Sequence, residues 1–398
     1  MKLFEDFGLS NQLSTAIKKL GFTTPTQIQG ESIPYIMAGK DVIGESASGS
    51  GKTLAFGCGI VEQVVPKGGL QALILTPTRE LAEQVRDSIR QFSYNKPLNI
   101  ITIYGGVSIN PQIDNLHRAE VVVATPGRLL DHIQRRTINT SKIKILVLDE
   151  ADRMLEMGFT EDVEQIIRVC PNKRQTLFFS ATISPKINGL ANRYMTKPIK
   201  VGERSYVDPN KLKQVYYDIT KDKKLSLLVH LLQHENSGLV IVFCNTRRTT
   251  DFVLKNLRAN NVDAIAIHGG FPQNKRINAI KLFNDAKVGV LVCTDVASRG
   301  LHINNVSHVY NYELPKDAND YVHRIGRTAR AGEEGKVINL LCDYDYDNFS
   351  RILSEHSIFS IEKAKTPYLE GIKTIRTDKF RRSPERQPFN RHKRTRHW

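Results

Sequence analysis

The 398-residue sequence contains no long apolar run, and this absence first excludes a membrane-spanning protein. No stretch approaches the roughly 18 uninterrupted apolar residues that a transmembrane helix needs. The N-terminal segment "MKLFEDFGLS" has acidic residues where a signal peptide needs its apolar region, so export is not expected either.

Cysteine is scarce: five cysteines are scattered along the chain, and no two of them form a CxxC pair. This spacing is not typical of a zinc site or of a disulfide framework. Buried thiols in a reducing compartment are the simpler interpretation, so we expect a cytoplasmic protein.

Acidic residues are the minority among the charges, because 41 of them stand against 57 Lys and Arg and leave a net charge of +16. Between Lys373 and Trp398, ten Lys and Arg accompany only Asp378 and Glu385, so half of the excess lies in the last 26 residues. Such an excess predicts a polyanionic partner, which by charge alone is either a nucleic acid or a membrane surface.

Short apolar runs alternate with amphipathic stretches, and this alternation predicts parallel sheets covered by helices on both faces. The pattern pauses in the polar "VGERSYVDPNKLKQ" and then resumes. We therefore predict an α/β fold of two similar doubly wound domains, residues 1–203 and 212–360, with a linker at 204–211. A basic tail at 361–398 is expected to be disordered until it binds. The carboxyl ends of strands line the ligand crevice in such sheets, so we expect a site in the cleft between the domains.

The segment "SASGSGKT" (46–53) follows a predicted strand and matches the phosphate-loop pattern GxxxxGK[ST], except that Ser46 replaces the first glycine. Its glycines let backbone N–H groups turn toward phosphate oxygens, and the following helix adds its positive end. Lys52 is expected to reach the β and γ phosphates, and Thr53 to offer a hydroxyl to Mg²⁺. The residues expected to hold the nucleotide here are Ser48, Gly49, Ser50, Gly51, Lys52 and Thr53. The alternative, an ordinary Gly/Ser loop, does not explain the strand before it and the helix after it.

The apolar run "ILVLDEAD" (145–152) ends on two adjacent carboxylates, whose repulsion must be compensated. A metal ion bound with the nucleotide compensates it, so Asp149 is expected to hold Mg²⁺ beside the phosphate loop, directly or through water. Glu150 is expected to orient the attacking water and to accept its proton. The alternative is a helix N-terminus at which the helix dipole favours acids.

With these two motifs in place, the sequence resembles the DEAD-box family of ATP-dependent RNA helicases over about residues 4–345. The resemblance implies a minimal core of two tandem RecA-like domains, a short basic C-terminal tail, and ATP and Mg²⁺ as cofactors. "GFTTPTQIQ" (21–29) resembles the family's adenine-recognising segment, which implies adenine contacts by Gln27, Phe22 and the preceding Phe4.

Six short segments that follow predicted strands resemble the family's RNA-contacting motifs. "PTRELA", the Gly105–Gly106 pair and "TPGR" belong to the first domain, whereas "FCNTRR", "HGGFPQNKR" and "TDVASRGLHI" belong to the second. Their arginines suit phosphates and their glycines permit close backbone approach. The resemblance implies RNA contacts by Pro77, Thr78, Arg79, Gly105, Gly106, Thr125, Pro126, Gly127, Arg128, Asn245, Thr246, Arg247, His268, Gly269, Gln273, Arg276, Thr294, Arg299 and Gly300.

"SAT" (180–182) resembles the family's motif that links the ATP state to strand separation. The residues implied in coupling between the domains are Asp152, Ser180, Thr182, Asp295, His302 and His323. His302 stands where the family usually has Asp, so we expect coupling that is weaker than usual or sensitive to pH.

"YVHRIGRTARAG" places three arginines within seven residues, and like charges at that spacing repel unless an anion lies between them. The resemblance implies that Arg327 and Arg330 are arginine fingers that reach the γ-phosphate from the opposite domain. Such a finger contributes on the order of 10³ to 10⁵ in rate. Together with Glu150 and Lys52 they form the expected catalytic set.

The expected function is RNA-stimulated ATP hydrolysis, coupled to local unwinding of short RNA duplexes or to remodelling of RNA–protein complexes, by a protein that works as a monomer. Contacts to sugar and phosphate predict little sequence preference. Two alternatives stay open: a DNA helicase or translocase on the same scaffold, and a passive RNA chaperone with a vestigial nucleotide site. The basic tail is expected to add affinity for RNA, with a solvated tail that only aids solubility as the alternative.

Overall fold

The structure is a computed structural model that describes residues 3–46, 49–202, 212–235, 237–298, 306–329, 334–356 and 359–375. Several predicted features lie outside these residues. They are Ser48, Arg299, Gly300, His302 and Arg330, the predicted linker, and residues 376–398 of the predicted tail.

The first domain, as described, is a seven-stranded parallel sheet with helices on both faces. Its strands are β1 Val42–Glu45, β2 Ala72–Leu75, β3 Ile100–Ile103, β4 Val121–Ala124, β5 Ile145–Asp149, β6 Gln175–Ser180 and β7 Ile199–Val201. Its helices are α1 Asn11–Lys19, α2 Gln27–Met37, α3 Lys52–Gln63, α4 Arg79–Phe92, α5 Asn110–Leu116, α6 Pro126–Gln134, α7 Ala151–Glu156, α8 Thr160–Val169 and α9 Pro185–Tyr194, after a 3-10 turn at Phe4–Phe7. The strand order is β3-β4-β2-β5-β6-β1-β7.

The second domain repeats this arrangement with the strand order β10-β11-β9-β12-β13-β8-β14, again all parallel. Its strands are β8 Leu212–Asp218, β9 Leu239–Cys244, β10 Ala264–Ile267, β11 Val290–Thr294, β12 Val306–Asn311, β13 Gly335–Leu341 and β14 Glu362–Lys363. Its helices are α10 Lys224–His234, α11 Arg247–Ala259, α12 Gln273–Asn284, α13 Asp295–Ser298, α14 Ala318–Ile325 and α15 Tyr346–Glu355, with a 3-10 turn at Asp343–Asp345. The prediction of two similar doubly wound domains is confirmed.

The central strands are apolar without interruption because both faces of each sheet are covered. In the first domain, Ile74 and Val147 point into one core cluster, and their neighbours Leu73 and Leu148 point into the other. Alternate side chains along one strand therefore enter different cores, which requires every position to be apolar. The polar residues are left at the carboxyl ends of the strands, where the chain turns into the next helix.

The predicted start of the tail at residue 361 is wrong for residues 361–375. Strand β14 pairs with the outer side of β8, and the side chains of Leu369 and Ile372 pack against a core cluster of the second domain. A two-residue strand followed by scattered apolar residues has no periodicity to detect, so composition alone placed the boundary too early.

All five cysteines are buried thiols, and burial raises the pKa of Cys170 to about 11. Among the helices that the structure describes, none is long and apolar enough to cross a bilayer.

Candidate functional site

The phosphate-loop segment joins β1 to α3, and its backbone takes the conformation that only glycine adopts readily. Gly49 (φ 83°) and Gly51 (φ 94°) are both left-handed, and a Cβ on Gly51 would overlap the Gln29 amide. Lys52 begins α3 with 7% of its surface exposed, and its Nζ donates to the Ser46 carbonyl at 2.7 Å. The ammonium is thus held inside the loop, next to a helix N-terminus that favours anions.

Gln29, which the sequence analysis did not single out, supports this loop. Its Nε2 donates to the Gly51 carbonyl at 3.0 Å, while its Oε1 accepts from the Thr26 N–H at 2.9 Å. The Thr26 hydroxyl donates to the Ser50 carbonyl at 2.7 Å. The Thr-x-x-Gln spacing is a capping box at the start of α2, a signal that was available in the sequence.

The three residues predicted to contact adenine have different surroundings. Phe4 is 5% exposed and packs edge-on against Phe7 within the core, and the adenine contact expected of it stays a prediction. Phe22 is 41% exposed, and Gln27 bonds Glu31 on the exposed side of α2. The adenine contacts of Phe22 and Gln27 stay predictions.

The carboxylate pair lies at the end of β5, where Asp149 is buried. Burial raises the pKa of Asp149 to about 7; the Lys52 ammonium opposes this shift and the Glu150 carboxylate adds to it. Glu150 has a left-handed backbone (φ 52°), a conformation that costs a non-glycine residue about 1 kcal/mol or more and that clusters at functional sites. Its N–H donates to Asp149 Oδ1 at 3.1 Å.

The donor chemistry of this site suits a divalent cation held jointly with a nucleotide. No cluster of three or more metal-ligating side chains occurs among the described residues, so those residues alone do not form a full coordination shell. Mg²⁺ usually binds through one or two carboxylates plus substrate phosphates. A single buried carboxylate with a raised pKa, beside a phosphate loop, fits that pattern.

Asp152 connects the carboxylate motif to the "SAT" segment. It is 4% exposed, and its Oδ2 accepts from the backbone N–H groups of Ala181 and Thr182 at 3.1 Å and from the Thr182 hydroxyl at 3.3 Å. The Asp152 N–H donates to the Ser180 hydroxyl at 3.1 Å, and the Ser180 carbonyl accepts from the Ser46 N–H at 2.9 Å. The "SAT" segment is therefore hydrogen-bonded both to the carboxylate motif and to the phosphate loop.

The arginines of the second domain have distinct surroundings. Arg327 is 6% exposed; burial lowers its pKa, and the Glu150 carboxylate of the first domain opposes that shift. Arg324 is instead bound inside its own domain by Asp295 at 2.6 Å and by the Asn245 amide oxygen at 2.9 Å. Asp295 therefore supplies negative charge beside Arg324 from within the second domain, and the coupling role expected of Asp295 stays a prediction.

Two residues predicted to contact RNA have side chains bonded within the second domain. The Asn245 Nδ2 donates to the Leu314 carbonyl at 2.8 Å, so both ends of its amide are engaged. His268 is 5% exposed, and its ring lies between Asp251 at 3.0 Å and the Gly270 N–H at 3.1 Å. These contacts fix the loops that carry the neighbouring motif residues.

A cavity of about 560 Å³ lies between the two domains and brings most of the predicted RNA-contacting motifs together. The predicted residues that line it are Pro77, Thr78, Arg79, Gly105, Thr125, Gly127 and Arg128 from the first domain and Gly269, Gln273 and Arg276 from the second. Nη1 of Arg128 and Nε of Arg276 are buried donors with no hydrogen-bond partner among the described residues. Unpaired buried donors of positive charge fit an anionic ligand such as phosphate.

Each domain presents an arginine that lies over a glycine at this cavity. A Cβ on Gly106 would overlap the Arg79 guanidinium, and one on Gly269 would meet that of Arg247. Both arginines begin helices whose N-caps are threonines, Thr78 and Thr246. The strands that precede them, β2 and β9, hold equivalent positions in the two sheets. The duplication therefore places the same pair of groups on both sides of the cleft.

Several contacts that the sequence did not predict bridge the two domains among the described residues. Arg153 donates to Asp320 at 2.7 Å. Glu80, which is buried, accepts from Gln273 at 2.6 Å and pairs with Arg276 at 3.1 Å. Gln273 and Arg276 thus hold the cleft closed in addition to lining it.

Comparison with known proteins gives two family matches and many relatives. The family described as DEAD/DEAH box helicase matches residues 26–190, and the helicase conserved C-terminal domain matches residues 223–332. A protein of Bacillus licheniformis named DEAD-box ATP-dependent RNA helicase CshA is 41% identical over 395 residues, which cover 97% of this chain and 81% of that one.

Solved structures agree with the fold and with the arrangement of the domains. Yeast Dbp5 bound to RNA and ADP–BeF3 superposes with a TM-score of 0.84 at 30% identity, covering 92% of this chain and 96% of that one. A variant of Dbp5 bound to Nup159, Gle1, IP6 and ADP superposes with a TM-score of 0.62 at 29% identity, covering 89% of this chain and 95% of that one. The two domains are therefore RecA-like, and their arrangement is nearer to that of the RNA-bound complex.

Proposed function

The chain belongs to the DEAD-box family of ATP-dependent RNA helicases, and we propose that it hydrolyses ATP in response to RNA and separates short RNA duplexes or remodels RNA–protein complexes. The observation that carries the proposal is the burial of Arg327, from the second domain, in the field of Glu150 from the first. A catalytic site shared in this way is complete only when the cleft is closed.

ATP is proposed to bind at the N-terminus of α3, with Lys52 moving from the Ser46 carbonyl to the phosphates. Thr53 and Asp149 would hold Mg²⁺, which supplies charge stabilisation for the phosphoryl group when it is bound. Glu150 orients the attacking water and accepts its proton, and Arg327 places positive charge beside the γ-phosphate. Arg330 keeps the finger role that the family resemblance implies.

RNA is proposed to lie across both domains in the 560 Å³ cavity. The unpartnered donors of Arg128 and Arg276 and the arginine–glycine pairs support contacts to phosphates rather than to base edges, so sequence preference should be small. RNA that contacts both domains favours closure, closure completes the ATP site, and linkage then requires ATP to tighten RNA binding.

The remaining parts of the proposal rest on the sequence. Both halves of the active site belong to one chain, which supports action as a monomer. Residues 376–398 carry nine Lys and Arg against two acids, which supports added affinity for RNA without specificity. A cytoplasmic location is proposed from the buried, unpaired thiols.

The direct test compares RNA-stimulated ATP turnover of the wild type with that of Arg327→Ala. We expect a loss on the order of 10³ or more. Arg351→Ala, which removes an exposed arginine from α15 of the same domain, should leave turnover unchanged. Equal turnover of Arg327→Ala and wild type would overturn the shared site.

Two further experiments distinguish the proposed function from its two alternatives. Matched single-stranded DNA that stimulates turnover as well as RNA would favour a DNA helicase or translocase. Strand separation that persists in Glu150→Gln would favour a passive RNA chaperone, because that substitution removes the base needed for hydrolysis.

A further inference from the structure

A second cavity, of about 760 Å³, opens on the second domain at the carboxyl ends of β8, β9, β12 and β13. The described residues that line it belong to the second domain and to the segment after it. Among them are the rings of Phe252, Tyr312 and Tyr344 and the cations Lys221 and Arg248. Aromatic rings interleaved with cations are the groups that bind unpaired nucleobases.

The cavity occupies the place in the second sheet that the ATP site occupies in the first. β8 holds the position of β1 in the strand order, and α10 begins at Lys224 as α3 begins at Lys52. The connection at 219–223 contains no glycine, however, and the Lys224 ammonium is 1% exposed and bonded to Asp345 at 2.6 Å. Because this connection has no glycine loop to bind phosphates, the cavity suits a nucleobase and not a triphosphate.

Helix α11 joins this cavity to the cleft between the domains. Arg247, its first residue, lies against Gly269 at the cleft, and the next two residues, Arg248 and Thr249, line the second cavity. A strand that leaves the cleft over the first turn of α11 therefore meets the second cavity next.

The segment after the second domain forms one wall of the cavity, through Ile372 and Thr374. Two asparagines, Asn256 on α11 and Asn260 directly after that helix, hold this segment in place. Asn256 bonds both the N–H and the carbonyl of Ile375, and Asn260 bonds both those of Lys373, at 2.7 to 3.2 Å. Asn256 is fully buried. Each side-chain amide bonds the backbone of this segment as a neighbouring strand would, and such bonds do not depend on the side chains that the segment carries. The segment is therefore a fixed wall of the cavity.

We propose that this cavity binds a nucleobase of the RNA strand where that strand leaves the cleft, and so extends the RNA site beyond it. The inference rests on the proposed function. Asp222 and Glu313 also line the cavity. The two Glu313 oxygens accept from the Asn245 N–H and the Thr249 hydroxyl, but each carboxylate oxygen can accept a second hydrogen bond, so the site should favour bases with an exocyclic amino group, adenine, cytosine and guanine, over uracil.

The test measures binding of labelled RNA by the full chain with Mg²⁺ and a non-hydrolysable ATP analogue. One RNA only fills the cleft; two others add four nucleotides at one end or the other. Tyr344→Ala should weaken binding of one extended RNA by roughly 5- to 100-fold, the range of base–aromatic stacking, and leave the short RNA unchanged. Replacing the added adenines by uracils should also weaken binding of that RNA by the wild type.

Matched variants separate stacking from unfolding. Tyr344→Phe keeps the ring and should bind like the wild type, and Tyr368→Ala, which removes an 88% exposed ring from the same segment, should do the same. The double variant Asn256→Ala/Asn260→Ala removes the wall and should reproduce the loss seen in Tyr344→Ala. Unchanged binding of the short RNA and unchanged RNA-stimulated turnover show that the variants are folded.

Three outcomes would overturn the inference. They are equal binding of the extended RNA by Tyr344→Ala and wild type, an equal loss on short and extended RNA, and tighter binding by Phe380→Ala. The last outcome would assign the cavity to the chain's own tail. Failure of the short RNA to bind or to stimulate ATP turnover would instead contradict the proposed function.

Discussion

Breaking the contact between Arg153 and Asp320 should weaken closure of the cleft without altering either domain. Asp320→Asn removes the charge at nearly constant volume. The carboxylate also lies in the first turn of α14, where an acid is stabilised by the helix dipole, but that contribution is the same in the open and closed states. The substitution therefore reports on the bridge across the cleft.

The magnitude follows from burial and from a competing partner. The Arg153 side chain is 4% exposed and that of Asp320 is 19% exposed. Coupling energies of close charge pairs at buried interfaces start near 1.5 kcal/mol, and those of exposed pairs stay below about 1 kcal/mol. Arg153 also bonds Glu156 of its own domain at 2.7 Å, so it keeps one partner when the domains part. We expect a loss of about 1 to 2 kcal/mol, or roughly 5- to 30-fold in the closure equilibrium.

The assay is the factor by which a non-hydrolysable ATP analogue tightens RNA binding. This factor should fall by the stated amount in Asp320→Asn, while RNA affinity without nucleotide stays constant. Arg153→Ala should show a similar loss, and the double variant should lose little more than either single one. Glu156→Gln, which removes the partner within the domain, should preserve the factor.

An unchanged factor in Asp320→Asn would refute the bridge, as would strictly additive losses in the double variant. Either result would mean that the two side chains meet without contributing to closure.

Three further predictions test individual sites. Gly51→Ala places a Cβ against Gln29 at a position with a left-handed backbone. It should abolish nucleotide-dependent RNA binding, while the free energy of unfolding falls by only about 1 to 3 kcal/mol. Nucleotide binding equal to that of the wild type would contradict this prediction. The pKa of Asp149, about 7, lies above its unfolded value, so its contribution to stability is present below pH 4 and lost as pH rises through 7. The urea stability of ligand-free wild type relative to Asp149→Asn should therefore decline between pH 4 and 7, and a difference independent of pH would exclude the raised pKa. Lys224→Met leaves Asp345 buried without its cation and should cost about 3 to 5 kcal/mol in urea unfolding, whereas Lys223→Met, on the exposed neighbour, should cost little.

The fold was predictable because its signals are local. Uninterrupted apolar strands of the "VVVA" type indicate sheets covered on both faces, and the polar motifs mark the carboxyl ends of strands. The end of the second domain was not predictable in the same way. What holds residues 361–375 is pairing with β8 and the amides of Asn256 and Asn260, which are contacts between distant parts of the chain.

The site was predictable for residue types whose chemistry needs no partner, such as Lys52 and the glycines of its loop. It was less predictable where a polar residue had two uses. Asn245, His268 and Asp295 stand in motif positions, yet their side chains bond within the second domain and fix its loops. Glu80 and Asp320 look like ordinary solvated acids on helices, and only the closed arrangement shows that they bridge the domains.

In the proposed mechanism, hydrolysis requires closure, and the duplication accounts for that requirement. The second half has kept the strand-end geometry, but its counterpart of Lys52, Lys224, is neutralised by Asp345, so only the first half can hold a triphosphate. The second half is proposed to contribute Arg327, and burying that guanidinium in the closed cleft is costly, since desolvation lowers its pKa. Glu150 offsets part of the cost, and the γ-phosphate supplies further negative charge at the same place. We therefore expect closure to be favoured while the triphosphate is intact and disfavoured once phosphate has left.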